Sequence, residues 1–245
     1  MRIDVYMTEK GLSESRSKAQ AMIAEGFVLI NGKKAKKPSA EVSEGDEVLI
    51  TEQLMFVSRG GQKLLHALEE FHVTAEGAIC ADIGASTGGF TDCLLKHGAK
   101  KVYAIDSGTD QLHPSLRADE RVVCMEKTNA RSLTAEAIGE RCDLAVMDVS
   151  FISQTLLYPA VKSILKPGGS FISLIKPQFE TTASRLGSGG ILRDKKERER
   201  TVQRVLEQAK LQGFTALSVI PSPITGGDGN IEYLAHFVLN TEEGG

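Results

Sequence analysis

No stretch of this 245-residue chain approaches the ~20 consecutive apolar residues that a membrane-spanning helix needs. Its opening run, Met1-Arg2-Ile3-Asp4-Val5-Tyr6-Met7-Thr8-Glu9-Lys10, holds no apolar block of signal-peptide type, so a cytoplasmic protein without membrane contact is expected. Cysteine is scarce: Cys80, Cys93, Cys124 and Cys142 form no C-x-x-C pair, which points to buried thiols and away from zinc or a redox couple. His66, His72, His97, His113 and His236 share no ligand-like spacing, and no metal is expected. Internal repeats and low-complexity segments are missing as well. With a formal net charge of -3, the whole chain does not announce a polyanionic partner.

What is present is enough apolar sequence for a sizeable core, 41% of residues, with 25% charged. At roughly 100–200 residues per domain the length suits one large domain and a small one. Charge is distributed unevenly. Arg16, Lys18, Lys33, Lys34, Lys36 and Lys37 crowd the first fifty residues, interrupted by Glu41, Glu44, Asp46 and Glu47, and such a local patch suffices to grip RNA.

Residues 1–51 read as a unit. A short helix begins near Ile3 and stops at Gly11. Ser13 is placed as the N-cap of a second helix, Glu14 to Glu25, with Ala19, Met22 and Ile23 inward and Gly26 past its end. Phe27 to Ile30 reads as a strand, Asn31-Gly32 as a hairpin turn, and Glu47 to Ile50 as a last strand after the Gly45-Asp46 turn. Residues 52–57 read as a linker. Val57-Ser58-Arg59-Gly60-Gly61-Gln62-Lys63 then enters an amphipathic helix, and Lys63 stands in its first turn, where the helix dipole disfavours a cation.

The stretch around which the rest is arranged is Asp82-Ile83-Gly84-Ala85-Ser86-Thr87-Gly88-Gly89-Phe90-Thr91-Asp92, between a strand and a helix. Strand, glycine-rich turn and helix bring backbone N–H groups close to a ligand, yet the spacing is neither the dinucleotide fingerprint nor the P-loop. The next strand ends at Asp106, where a carboxylate accepts the hydroxyls of a ribose. Strands are expected near 79–83, 101–105, 121–124, 143–147, 170–175, 217–220 and 232–239. Helices are expected near 90–97, 112–118, 134–139, 154–165 and 194–212. This is the rhythm of an α/β fold with a mostly parallel sheet. Asp148 and Lys176 close two of the strands and Glu232 opens the last, so charged groups converge at the sheet's ligand-binding end.

These features resemble known families. Residues 1–51 resemble the small RNA-binding domain named after ribosomal protein S4, through Ser15-Arg16-Ser17-Lys18-Ala19, Gly26-x-Val28-x-Ile30-Asn31-Gly32 and Gly45-Asp46. The glycine stretch with Asp106 looks like the S-adenosylmethionine pocket of Rossmann-like class I methyltransferases, which places such a domain at 58–245. Lys63, Asp148, Lys176 and Glu232 look like the Lys-Asp-Lys-Glu set of RNA ribose 2'-O-methyltransferases. End to end, the chain resembles the TlyA family, historically named haemolysins, through Ser58 to Leu64, Asp82 to Asp92, Asp148-Val149-Ser150-Phe151-Ile152-Ser153, Lys176-Pro177-Gln178-Phe179-Glu180 and Gly229-Asn230-Ile231-Glu232-Tyr233.

The resemblance implies transfer of a methyl group to a cytidine ribose of ribosomal RNA, within ribosomal subunits and with no obligate protein partner. It implies Lys176 as the base, Asp148 orienting it beside the donor methyl, and Lys63 and Glu232 steering the ribose. Gly84, Ser86, Gly88 and Phe90 are expected at the methionine end of the cofactor, Asp106 at its ribose and Asn129 at its adenine, while Asp82 either bonds the donor's amine through water or locks the turn. Arg16, Lys18, Lys33, Lys34 and Arg59 are expected to contact RNA phosphates. Ser188, Leu192 and Gly227-Asp228 depart from the family's commoner residues. A non-catalytic RNA-binding or ribosome-assembly protein of the same fold is the alternative, and the intact quartet argues against it. A methyltransferase for protein or small molecules is disfavoured by the N-terminal module and the two lysines; a pore-forming cytolysin has only the historical name in its favour.

Overall fold

The computed structural model describes residues 1–24, 26–51, 55–226 and 228–241. Glu25 at the end of the expected second helix, residues 52–54 of the expected linker, and Gly227 lie outside the described residues. The chain divides into two compact units, Met1–Gly61 and Gln62–Gly245.

In the first unit, α1 (Ile3–Glu9) and α2 (Arg16–Ala24) precede a small sheet of β1 (Val28–Ile30), β2 (Lys33–Lys34) and β3 (Val48–Ile50), ordered β2-β1-β3 and antiparallel throughout. The hairpin turn forms at Asn31 (φ 49) and Gly32 (φ 75), the left-handed pair that matches the strand twist. Asn31 then donates to the Asp46 carboxylate at 2.7 Å and accepts from the Glu47 N–H at 2.9 Å, fixing the second turn on the first. Ser13 does not cap α2. Ser15 does, its hydroxyl accepting from the Lys18 N–H at 3.2 Å, and the helix accordingly starts at Arg16. Ile3, Met7, Ala19, Met22, Ile23, Phe27 and Val28 form the core of this unit.

The second unit runs α3 (Gly60–Phe71), β4 (Ile79–Ile83), α4 (Gly89–Lys96), β5 (Lys101–Ile105), α5 (Pro114–Arg117), β6 (Val122–Met125), α6 (Ala135–Ile138), β7 (Cys142–Met147), α7 (Tyr158–Ile164), β8 (Leu165–Ile175), α8 (Pro177–Glu180), α9 (Lys195–Leu211), β9 (Phe214–Pro221) and β10 (Tyr233–Leu239). The strands form one sheet in the order β6-β5-β4-β7-β8-β10-β9. β6, β5, β4, β7 and β8 are parallel, and β10 runs antiparallel to both of its neighbours. From β4 the chain steps outward through β5 to β6, then returns to β7 on the other side. That reversal opens a crevice at the carboxyl ends of β4 and β7, the place where open α/β sheets bind ligands.

Several elements differ from expectation in extent. The helices expected near 112–118 and 134–139 are single turns, and the one expected over 154–165 begins as a 3-10 turn, Gln154–Leu157, before α7 takes over. β8 starts at Leu165, five residues early, because Leu165 already pairs with Cys142 before the Pro167-Gly168-Gly169 irregularity shifts the register.

Beneath the sheet, Tyr158, Phe171, Phe214 and Phe237 are fully buried, with Phe171 5.4 Å from Phe237 and 5.5 Å from Phe214, ring to ring. The Tyr158 hydroxyl donates to Gln154 at 3.2 Å, so the cluster buries no unsatisfied phenol. Phe237→Ala is expected to cost the second unit about 3–5 kcal/mol, read as a lowered urea midpoint at unchanged slope.

Candidate active site

The glycine-rich turn is shaped by crowding. Gly84, at the end of β4, has φ +82, and a Cβ there would lie 2.4 Å from the Asp148 carbonyl oxygen, so no side chain fits. The Gly84 and Ala85 N–H groups both donate to the Ile105 carbonyl, at 2.9 and 3.0 Å, which folds the turn over the end of β5. Ser86 takes φ 48, held there by its N–H donating to Asp106 Oδ2 at 2.8 Å. The other Asp106 oxygen accepts from the Gly108 N–H at 2.7 Å.

A cavity of about 500 Å³ opens beside this turn, and its wall includes Gly84, Ser86, Asp106, Asn129 and Asp148 from the expected set. Gln111, Thr128, Ser150 and Phe151 also line it. Asn129 accepts from the Arg131 N–H at 3.0 Å, which leaves its NH2 group to donate. Glu126 builds the loop bearing Gln111 by accepting from the Asp110, Gln111 and Leu112 N–H groups and from Arg117 at 2.7 Å. The Arg117 guanidinium, then those N–H groups, hold its carboxyl down to about 2.

Asp82, Gly88 and Phe90 stand outside the cavity wall. Gly88 packs on the α5 region, where a Cβ would meet Leu116 Cδ1 at 2.3 Å, and Phe90 is buried in the interior. Asp82 is fully buried at the base of the turn. Thr91 donates to its Oδ2 at 2.7 Å, and Oδ1 has no hydrogen-bond partner. Burial pushes this carboxyl up to about 7, the Thr91 hydroxyl pulls it back, and the Asp148 charge pushes it further up. A crevice with acids at Asp106 and Asp148, an amide donor at Asn129 and a turn that admits no Cβ at Gly84 fits a cationic nucleoside such as S-adenosylmethionine.

The charged quartet assembles at the same end of the sheet. Lys63, in the first turn of α3, donates to Glu232 at 2.6 Å, both side chains being buried. Lys176 lies 2.5 Å from Asp148 Oδ1 and donates to the Ser150 hydroxyl at 2.8 Å. The Lys176–Asp148 pair is an ionic contact without hydrogen-bond alignment, since Asp148 Oδ1 has no hydrogen-bond partner. The antiparallel ladder ends with Tyr233 opposite Ile175, so Glu232, just before Tyr233, and Lys176, just after Ile175, stand at the same end of the sheet.

Two segments after adjacent strands hold this arrangement. Residues 148–154 follow β7 and residues 176–180 follow β8, and they are joined at three levels. Lys176 reaches Asp148 and Ser150, the Phe151 and Phe179 rings sit 4.9 Å apart, and Glu180 accepts from Ser153 at 2.6 Å and from the Gln154 N–H at 2.7 Å. Phe151 is 90% exposed at φ 64, a costly combination for a bulky residue. On the other side, Asn230 is buried, accepts from the Leu192 N–H at 2.9 Å and donates to the Gly190 carbonyl at 3.2 Å. It thereby ties the Gly187–Leu192 loop to the turn that carries Glu232. Gly226 is required in that turn, where a Cβ would stand 2.6 Å from Glu232 Oε1.

Ser150, Phe151, Glu180 and Asn230 were in the quoted motifs but had no assigned role. Exposure and backbone strain mark Phe151, and neither is visible in a string of residues.

The expected RNA contacts Arg16, Lys18, Lys33, Lys34 and Arg59 all fall in the first unit. Lys33 and Lys34 are exposed on β2, and Lys18 pairs with Glu14 at 2.9 Å. Arg16 lies 3.3 Å from buried Asp4, a carboxyl that Arg2 holds far below the usual range. Arg59 is half-buried just ahead of α3. Among the described residues, no group of three or more histidine, cysteine or acidic side chains is placed to hold a metal ion, and no helix is long and apolar enough to cross a membrane.

Comparison with known proteins places both parts of the chain in families. Residues 56–238 match the FtsJ-like methyltransferase family and residues 1–48 the S4 domain. Hemolysin A of Brachyspira hyodysenteriae is 45% identical, over 98% of this chain and 100% of its own length. The 16S/23S rRNA (cytidine-2'-O)-methyltransferase TlyA of Mycobacterium tuberculosis is 43% identical, over 98% of this chain and 91% of its own. A solved hemolysin-named structure from Streptococcus thermophilus superposes with a TM-score of 0.79 at 43% identity, covering 98% of this chain and 88% of that one.

Gly84→Ala is expected to weaken S-adenosylmethionine binding at least about tenfold by calorimetry, a loss of about 1.4 kcal/mol or more. Asp82 makes stability depend on pH. Its carboxyl is raised from the ordinary range near ~4 to about 7 on folding, so its favourable contribution is complete below ~4 and is lost as pH rises to about 7. Denaturant titrations across that window should show a falling limb in the wild type that Asp82→Asn flattens.

Proposed function

The chain belongs to the TlyA family of FtsJ-like methyltransferases, and we propose that it transfers a methyl group from S-adenosylmethionine to the ribose 2'-hydroxyl of a cytidine in ribosomal RNA. The observation that carries this reading is the two lysine–carboxylate contacts, Lys63–Glu232 and Lys176–Asp148, with Asp148 in the wall of a nucleoside-sized crevice.

The donor supplies a methyl group on a positively charged sulfur, which needs no activation by the protein. The acceptor does: a 2'-hydroxyl is a weak nucleophile until its proton is removed and its oxygen is aligned with the methyl. Lys176 is the base that takes this proton. Asp148 and Ser150 fix its amine from two directions, so its reach is set by β7 and β8 and not by a free side chain. Lys63, anchored by Glu232, places a fixed positive charge for the alkoxide that develops on the ribose. Asp106 holds the donor's ribose hydroxyls, while Asn129 and Gln111 frame its base.

Phe151 presents an aromatic face at the mouth of the crevice, the group that RNA enzymes use to hold an unstacked base. Arg16, Lys18, Lys33 and Lys34 of the S4 domain, with Arg59 just ahead of α3, grip phosphates of the folded RNA. That grip is read as sequence-independent affinity, with structured rRNA in a ribosomal subunit as the acceptor.

Methyl transfer from labelled S-adenosylmethionine to unmodified ribosomal subunits and to free rRNA, with the product mapped by blocked alkaline hydrolysis, tests the assignment. Label is expected on a cytidine ribose, and Lys176→Ala should lower the rate by about 10²–10⁴-fold with cofactor affinity retained. Wild-type turnover in Lys176→Ala would remove that lysine as the base.

A further inference from the structure

The segment from Arg185 to Arg200 carries six cations against three carboxylates, in a chain whose net charge is negative. The local excess falls where it opposes the backbone. α9 begins at Lys195, so Lys195, Lys196 and Arg198 occupy its first turn, at the positive end of the helix dipole. Asp194 and Glu197 answer the dipole there, Asp194 by capping the Lys196 and Glu197 N–H groups at 2.8 and 3.3 Å. Lys195 faces Glu199 one turn on, whereas Lys196 has no carboxylate partner among the described residues.

The cations divide by what they touch. Arg198 is structural, donating to the Leu192 and Arg193 carbonyls at 3.0 and 2.8 Å. Arg185 lies 3.8 Å from Glu197, and Lys195 3.8 Å from Glu199. Arg193, Lys196 and Arg200 are exposed and make no ion pair among the described residues. The inner face of α9, with Glu197, Thr201, Val202, Val205 and Ala209 buried, turns Lys196 and Arg200 outward.

Their position relative to the chemistry is fixed by Asn230. Arg193 follows Leu192, whose N–H is bonded to the Asn230 side chain, and Asn230 is two residues from Glu232. Leu192 is itself buried, which makes the loop a seated element of the methyltransferase unit. The cation cluster is thus joined by one hydrogen bond and two residues to the buried Lys63–Glu232 pair.

We propose that Arg193, Lys196 and Arg200 form a second phosphate grip, on the methyltransferase unit itself, that holds the rRNA backbone flanking the modified nucleotide. The inference rests on rRNA being the acceptor. It assigns to this unit a share of RNA affinity separate from that of the S4 domain, and it gives the Asn230 clasp a purpose: backbone held at the loop is held in register with the catalytic pair.

The test compares two full-length double variants, each removing two positive charges. Arg193→Ala/Lys196→Ala removes them from the grip; Lys100→Ala/Lys210→Ala removes them from the amino end of β5 and the far end of α9. Binding of unmodified rRNA is measured against salt concentration, alongside methyl-transfer kinetics and S-adenosylmethionine affinity. The grip variant is expected to lower the slope of log affinity against log salt by about 2 and to raise the KM for rRNA about tenfold or more. Its cofactor affinity and its kcat at saturating RNA should stay at wild-type values, and the control variant should match wild type throughout. A wild-type salt slope in the grip variant, or an equal loss in the control, overturns the proposal. Absence of rRNA methylation by the wild type would instead strike the reading on which it rests.

Discussion

The antiparallel pairing of β10 with β8 is the constraint on which the site depends. This pairing, registered up to Tyr233 opposite Ile175, brings Glu232, near the end of the chain, to the end of the sheet where Lys176 stands. A buried lysine–carboxylate pair such as Lys63–Glu232 is expensive to desolvate and is kept only where geometry is tight. Three features keep it so: the contact itself at 2.6 Å, Gly226 leaving room for Glu232, and the Asn230 clasp behind it. The same burial explains why Lys63 stands in the first turn of α3 against the helix dipole. Its charge is answered by Glu232 from another element, not by its own helix.

Around that frame the site has two sides with different construction. On the donor side the turn after β4 is shaped by exclusion: Gly84 because Asp148 leaves no space, Ser86 because Asp106 pulls on its N–H. Carboxylates held by backbone N–H groups do most of the shaping, with Asp106 and Glu126 each ordering a loop of the crevice. On the acceptor side the post-β7 and post-β8 segments are bound to each other by an ion pair, an aromatic contact and the Glu180 cap. This rigidity lets Phe151 remain exposed at a strained φ without the loop relaxing around it.

Much of the fold was legible because it depends on local rules. The alternation of apolar strands and helices, the Asn31-Gly32 turn and the glycine stretch after β4 follow from backbone preferences and periodicity. Errors were of extent. Ser15 replaced Ser13 as the cap because the helix start is chosen by which hydroxyl reaches an N–H three residues on. β8 ran early because its partner β7 offered Leu165 a ladder position.

The sequence by itself determined the residue types available for chemistry, the order of the elements and the family to which they belong. It marked Lys63, Asp148, Lys176 and Glu232 as charges at element ends, a consequence of local periodicity. Which charges pair was decided only by the tertiary structure: Lys63 with Glu232 across 169 positions of chain, and Lys176 with Asp148 and Ser150. The tertiary structure likewise turned Gly88 and Phe90 into the core and exposed Phe151. The physical reason is range. Turns and periodicity act over a few residues, whereas pairing and burial depend on which strands become neighbours, and that is settled by packing the whole sheet at once.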